Sequence, residues 1–198
     1  MDPKELTHYF ADSPPTLVNL PIKKHFEALS DKEKRYAHFI SKASWAGTRI
    51  ILRQVSPESE PIFDFILALH HTANGDWYSL KFKADISDED IHSVLEYTTQ
   101  FLGNIGNYKS FGDSKFVPRC REKVFKALAA TSPDAQRCYE ATKGAIFSSN
   151  DTGIMHLGYP QDGHLSNYYV GSKGITKAEI DAVGVWMAKK GLLAVSVH

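Results

Sequence analysis

The chain has 198 residues, 42% hydrophobic and 23% charged, proportions of an ordinary globular domain rather than of a disordered chain. Lys plus Arg and Asp plus Glu are both 23, giving a formal net charge of zero. No basic field therefore argues for nucleic acid or an anionic membrane as partner.

In chain order, residues 1–20 read as an N-terminal arm. The opening MDPKELTHYFADSPP has no apolar h-region, so no signal peptide is expected. No apolar run approaches the ~18 residues of a membrane span, and a soluble, cytoplasmic protein is the expectation. Ser30-Asp-Lys-Glu33 is a capping box, and Tyr36, Phe39, Ile40, Ala43, Gly47, Ile50 and Ile51 keep helical spacing to about residue 54. Ser56-Pro57 predicts the next helix start, with proline in its first turn. That helix carries Ile62, Phe63, Ile66, Leu67 and Leu69 and is apolar nearly all round, so it should be buried. Ser87-Asp-Glu-Asp90 opens another, with Ile91, Val94, Leu95, Thr98 and Leu102 on one face. Weaker helical patterns span 121–130 and 134–147. A Gly- and Tyr-rich connection follows over 150–174, with 167–170 as the best strand candidate. Thr176-Lys-Ala-Glu179 caps a last helix bearing Ile180, Val183, Trp186 and Met187. The fold class is thus mainly α with a few short strands (α+β), built from about six helices.

Residues 104–118, NIGNYKSFGDSKFVP, are too polar for a core element and too aromatic for an idle loop. Gly103 to Ser110, GNIGNYKS, comes one residue short of a phosphate-binding loop, with Tyr108 in place of the second glycine. Two physical objections remove that reading. The motif should follow a strand, whereas this one closes a helix, and a tyrosine side chain obstructs the backbone's approach to a phosphate.

Three runs carry a resemblance: Lys34 to Gly47, Gln54 to Ile62, and above all Asn107-Tyr-Lys-Ser-Phe-Gly-Asp-Ser-Lys-Phe-Val-Pro118, continued by Leu157-Gly-Tyr-Pro and Tyr168-Tyr-Val-Gly171. They are similar to the N-terminal region of the dipeptidyl peptidase III family, with wording closest to its fungal members. The resemblance covers the chain from about residue 20 to the end. It implies a two-lobed cytosolic zinc exopeptidase that removes dipeptides from the N-termini of short peptides. Residues 21–198 would be the N-terminal helical part of the substrate-binding lobe. The loop bearing Ser110, Phe111 and Gly112 would face the zinc, with Phe111 lining the pocket for the peptide's N-terminal residues.

The family's zinc motif, H-E-x-x-x-H with a further glutamate downstream, does not occur. None of the nine histidines is followed directly by glutamate. His70 and His71 are adjacent and point apart on a helix, while His92 and Glu96, one turn apart, make only two ligands. The expectation is a chain with no metal site, no catalytic residue and no activity of its own. It would be the N-terminal portion of a longer protein, truncated at the C-terminus, with zinc and its ligands in the missing remainder. Short peptides would be the substrates.

Other features carry plainer readings. Trp45, Trp77 and Trp186 suit core or lobe packing. Lys32 to Arg35 is a solvated helix face, and the carboxylates of Asp31, Glu33, Asp88, Glu89 and Asp90 favour helix dipoles. Cys120 and Cys138 lie outside any C-x-x-C spacing and read as inert free thiols in a reducing compartment. Two further functional readings stay open: a divergent enzyme on the same scaffold, such as an oxidase acting on a mycotoxin-like molecule, and a non-enzymatic helical interaction module.

Overall fold

The computed structural model describes residues 6–110, 113–149, 152–159, 163–164 and 174–192. Among them a short 3-10 turn, Thr7–Tyr9, is followed by α1 (Lys23–Glu27), α2 (Asp31–Ala46), α3 (Thr48–Val55), α4 (Ser59–Ala73) and α5 (Ser79–Ala84). Then come α6 (Asp88–Asn104), α7 (Glu122–Ala129), α8 (Pro133–Phe147), α9 (Thr152–Met155) and α10 (Lys177–Lys189). The β content among described residues is three isolated bridges, so the mainly helical expectation holds. The strand candidate at 167–170 and the β-prone end at 193–198 lie outside the described residues.

The start signals act as read. At α2 the Ser30 side chain accepts the Glu33 amide while Glu33 reaches back to the Ser30 amide, and Thr176 with Glu179 does the same at α10. Ser87 accepts from the Asp90 amide at α6. A start not foreseen lies at α8, where Ser132 accepts from the Ala135 amide and Pro133 sits in the first turn. These bonds satisfy amides that a helix start leaves orphaned.

The elements differ from expectation in three ways. The helix read through residue 54 divides at Gly47 into α2 and α3, at the residue that loses most backbone freedom on ordering. α4 begins at Ser59 rather than at Pro57. There the Ser56 amide is followed by a turn in which the Ser59 amide donates to the Ser56 carbonyl, and the Ser56 hydroxyl is taken by Asn107 instead of capping the helix. Three short helices went unread, α1, α5 and, within the 150–174 connection, α9, because one or one and a half turns hold too few apolar positions for a periodic signal.

The core sits where α4, α6, α7 and α8 meet. α4 packs most extensively against α8, and α7 against α8. Ile62, Phe65, Ile66 and Leu69 of α4 are buried, as its all-round apolar pattern demands. The Phe65 ring stacks on Phe125 at 5.9 Å and tilts against Tyr139 at 5.8 Å. Tyr97 meets Phe116 at 5.6 Å and Phe125 at 5.8 Å. The loop's own Phe116 therefore belongs to the core.

The face of α2 and α3 that periodicity assigns to a core is not covered. Tyr36, Phe39, Ile40, Ile50 and Ile51 are all exposed, and so, outside that periodic set, is Trp45, by 75%. Val183 and Trp186 of α10 are exposed as well. Trp45 and Trp186 thus stand outside the core of the described residues, and of the three tryptophans only Trp77 packs against it.

Candidate functional site

The segment 104–118 starts where α6 ends. Ile105 takes a left-handed conformation (φ 53°), and the Gly106 amide returns to the Phe101 carbonyl at 3.1 Å, an arrangement that closes a helix C-terminus. Gly106 is needed here for space: a Cβ would stand 2.6 Å from Val55 Cγ1. The chain then folds into a narrow hairpin. The Lys109 amide donates to the Ser114 carbonyl at 2.8 Å, and the Phe116 amide to the Asn107 carbonyl at 3.1 Å.

The base of that hairpin is bolted down on three sides. On the first, Val117 N–H donates to Tyr9 O at 2.7 Å and Ala11 N–H to Val117 O at 2.9 Å, so residues 9–11 run along it in parallel. On the second, Lys115 N–H donates to Met155 O at 2.8 Å, Leu157 N–H to Asp113 O at 2.9 Å, and the Tyr108 hydroxyl to Ile154 O. On the third, Asn107 is fully buried and its carbonyl oxygen accepts from the hydroxyls of Ser56 (3.0 Å) and Ser59 (3.2 Å). Its amide nitrogen donates to Glu58 Oε1 at 3.0 Å.

Lys115 is the unusual member. Its side chain is buried, and its ammonium donates to the carbonyls of Ala145 and, at 3.1 Å, Ser148. These belong to the end of α8, where orphaned carbonyls concentrate negative partial charge. Burial lowers its pKa from the usual lysine range, with Glu58 pulling the other way. Burial likewise raises the Tyr108 phenol, and the charge of Glu58 adds to that. Neither group is set up for proton transfer; both are braces.

What the base presents is the tip. Ser110 is exposed, and its amide donates to Asn104 Oδ1 at 2.8 Å. Lys109 pairs with Asp12 at 3.2 Å. A shallow hollow of about 300 Å³ beside the tip is lined by Asp12, Thr16, Thr99, Gln100, Asn104 and Lys109, among others. Phe111 and Gly112 lie outside the described residues. Asn107 and Lys115 were not singled out from sequence, since their side-chain partners lie 30 to 51 residues away, and Asn104, whose partners are four and six residues away, has no pattern that marks it.

The placement of GNIGNYKS at the end of α6, with Tyr108 buried, agrees with setting aside a phosphate loop. His92 bonds the Tyr78 hydroxyl at 3.0 Å, and Glu96 accepts from Ser13 at 2.6 Å. The described residues contain no group of three or more His, Cys, Asp or Glu side chains able to hold a metal, so a zinc centre does not fit them. No helix among them is long and apolar enough to cross a membrane.

Comparison with known proteins adds the family. Residues 138–197 match the model of Peptidase family M49, a zinc metallopeptidase family. The chain is 36% identical over 191 residues to dipeptidyl peptidase 3 of Dictyostelium discoideum, spanning 96% of this chain and 26% of that protein. It is 31% identical over 196 residues to the Nematostella vectensis protein of the same name (94% and 26%). It is 29% identical over 181 residues to the human one (88% and 24%). The chain spans about a quarter of the length of these curated relatives. Taken together, the matches make residues 138–197 similar to Peptidase family M49 and nearly the whole chain similar to about a quarter of dipeptidyl peptidase 3.

Proposed function

We propose that this chain is the peptide-binding, N-terminal portion of a cytoplasmic zinc exopeptidase that removes dipeptides from peptide N-termini. The observation that carries the reading is the braced hairpin. A loop of polar composition is held by buried Asn107, Tyr108 and Lys115 so that Ser110 stands exposed at its end. A firmly held base is what a substrate wall needs, because a site whose supports are already ordered loses little entropy when a peptide docks. In this reading Ser110, Phe111 and Gly112 form the substrate-binding tip, Phe111 as an apolar wall beside the peptide's N-terminal side chains. Backbone and hydroxyl groups next to it hold the peptide backbone. The zinc, its ligands and the catalytic carboxylate belong to the rest of the polypeptide, which is this chain's partner. The wording shared with fungal members of the family points to that branch.

The test compares the full-length protein with this chain after dialysis and zinc titration. The expected result is stoichiometric zinc and chelator-sensitive release of dipeptides from the full-length protein, and neither from residues 1–198. Tight zinc binding by the short chain would mean that the histidines have been misread. A full-length protein that binds zinc but releases no dipeptide would leave the divergent-enzyme reading in its place.

A further inference from the structure

Resting on the peptide-binding reading above, we infer that Asn104 is a positioning residue for that site: it sets the direction of the loop at Ser110 and thereby the preference for the peptide's N-terminal residue. Two bonds of one side chain carry the inference. Asn104 Nδ2 donates to the Gln100 carbonyl at 2.8 Å, which fixes the amide against the last turn of α6. Its Oδ1 then accepts the Ser110 amide at 2.8 Å, six residues further on. The second bond ties the tip to the helix rather than to its own hairpin. The hairpin's backbone pairing holds Lys109 to Ser114, and among the described residues the acceptor for the Ser110 amide is Asn104 Oδ1. The Lys109–Asp12 ion pair borders the same hollow and is partly exposed, so salt screens it. The neutral amide bond is unaffected by salt, and it is the contact that fixes the backbone angle at Ser110.

Asn104 also lies at the C-terminal end of α6, where a carboxylate is disfavoured by the helix dipole. That separates its two possible duties. Asn104→Asp keeps an oxygen acceptor for Ser110 but loses the donor to Gln100 and adds a charge at the wrong helix end. Stability should fall while the tip stays in place. Asn104→Ala removes both bonds.

The experiment measures kcat and KM of the full-length protein on dipeptidyl substrates differing in the N-terminal side chain, with melting curves, for wild type, Asn104→Ala and Asn104→Asp. Asn104→Ala should lower kcat/KM about three- to tenfold through KM, the effect of one lost hydrogen bond, and flatten the preference among N-terminal residues. Asn104→Asp should restore most of that preference despite a lower melting temperature. If activity instead tracks melting temperature in both variants, or if Asn104→Ala leaves the preference untouched, Asn104 only closes the helix. Phe111→Ala run alongside separates the failures. Preference that responds to Phe111→Ala but not to Asn104→Ala overturns this inference alone, and preference that responds to neither overturns the peptide-binding reading with it.

Discussion

Asn107 shows how much of the site rests on single buried polar groups. It sits in the interior with both ends of its amide used, on Ser56, Ser59 and Glu58. Asn107→Ala would take the shared acceptor from the buried Ser56 and Ser59 hydroxyls, leaving them only their mutual bond of 2.7 Å, and the amide donor from half-buried Glu58; a buried group left unsatisfied costs about 1–3 kcal/mol. The expected loss is roughly 3 kcal/mol of unfolding free energy in denaturant titration; a change under about 0.5 kcal/mol would mean that water replaces the amide. Cys120 offers a pH test. Packed against the core, its thiol is pushed up from an ordinary value of 9.0 to about 12, chiefly by burial. The folded form keeps the proton that the unfolded chain releases, so this contribution is fully present below pH 9.0 and is lost as pH climbs toward 12. Burial raises Cys138 in the same sense. The tyrosines Tyr97, Tyr108 and Tyr139 join only above their ordinary 10.0, and lowered Lys115 acts oppositely. Cys120→Ala should therefore make the fall in melting temperature between pH 9 and 10 shallower, and an unchanged slope would contradict the assignment. Of these residues the sequence marked the cysteines as inert, but it could not mark Asn107 or Lys115. A buried asparagine and a surface one look alike until the chain closes on them.

Among the elements, most of what could be read locally was read. Capping boxes at Ser30 and Thr176 and the cap at Ser87 are short-range chemistry, complete within four residues; the equally local Ser132 cap at α8 went unread. Pro57 misled because Ser56, the natural cap, is held by Asn107 across the structure, and no window of sequence contains both. Periodicity also assigned α2 and α3 an inward face that stays exposed, since it reports where a helix is apolar and not what covers it. The junction of α3, α4 and the loop is tight enough to test: an alanine at Gly106 puts its Cβ 2.6 Å from Val55 and 3.1 Å from Ser59 Oγ. Overpacking of that kind costs roughly 1–3 kcal/mol. Gly106→Ala should lower the melting temperature, and partial relief by Val55→Ala in the double variant would identify the clash. Equal melting of wild type and Gly106→Ala would show that the loop shifts at no cost.

For the molecule as a whole, the uncovered face is the largest physical anomaly. Tyr36, Phe39, Ile40, Trp45 and Ile50 are exposed together on α2 and α3, and Trp45 borders an apolar hollow of about 630 Å³ with Leu52, Phe63 and Phe101. Large apolar side chains exposed in such number on two successive helices are a candidate interaction surface. The isolated chain should enhance a hydrophobic dye's fluorescence, and Phe39→Ser with Ile40→Ser should remove most of the enhancement; dye binding that survives both changes would point elsewhere. The mainly helical class could be read from local patterns, and the run Asn107 to Pro118 carried a resemblance to the family that the relatives' similarity over most of the chain supports. The bracing of that loop by residues 9–11 and 154–157 could not, because it exists only once distant segments meet.

The central claim is that this braced loop is a wall for the peptide's N-terminal residues, and Phe111→Ala in the full-length enzyme tests it most directly. Removing an aromatic side chain that a bound peptide covers should cost roughly 1–3 kcal/mol of transition-state binding, from ~25 cal/mol per Å² of lost apolar burial. That is about a tenfold to hundredfold loss in kcat/KM. It should fall mainly on substrates with bulky N-terminal side chains, while the melting temperature holds. A variant that unfolds but keeps its substrate preference would show that the loop is core packing and contradict the claim.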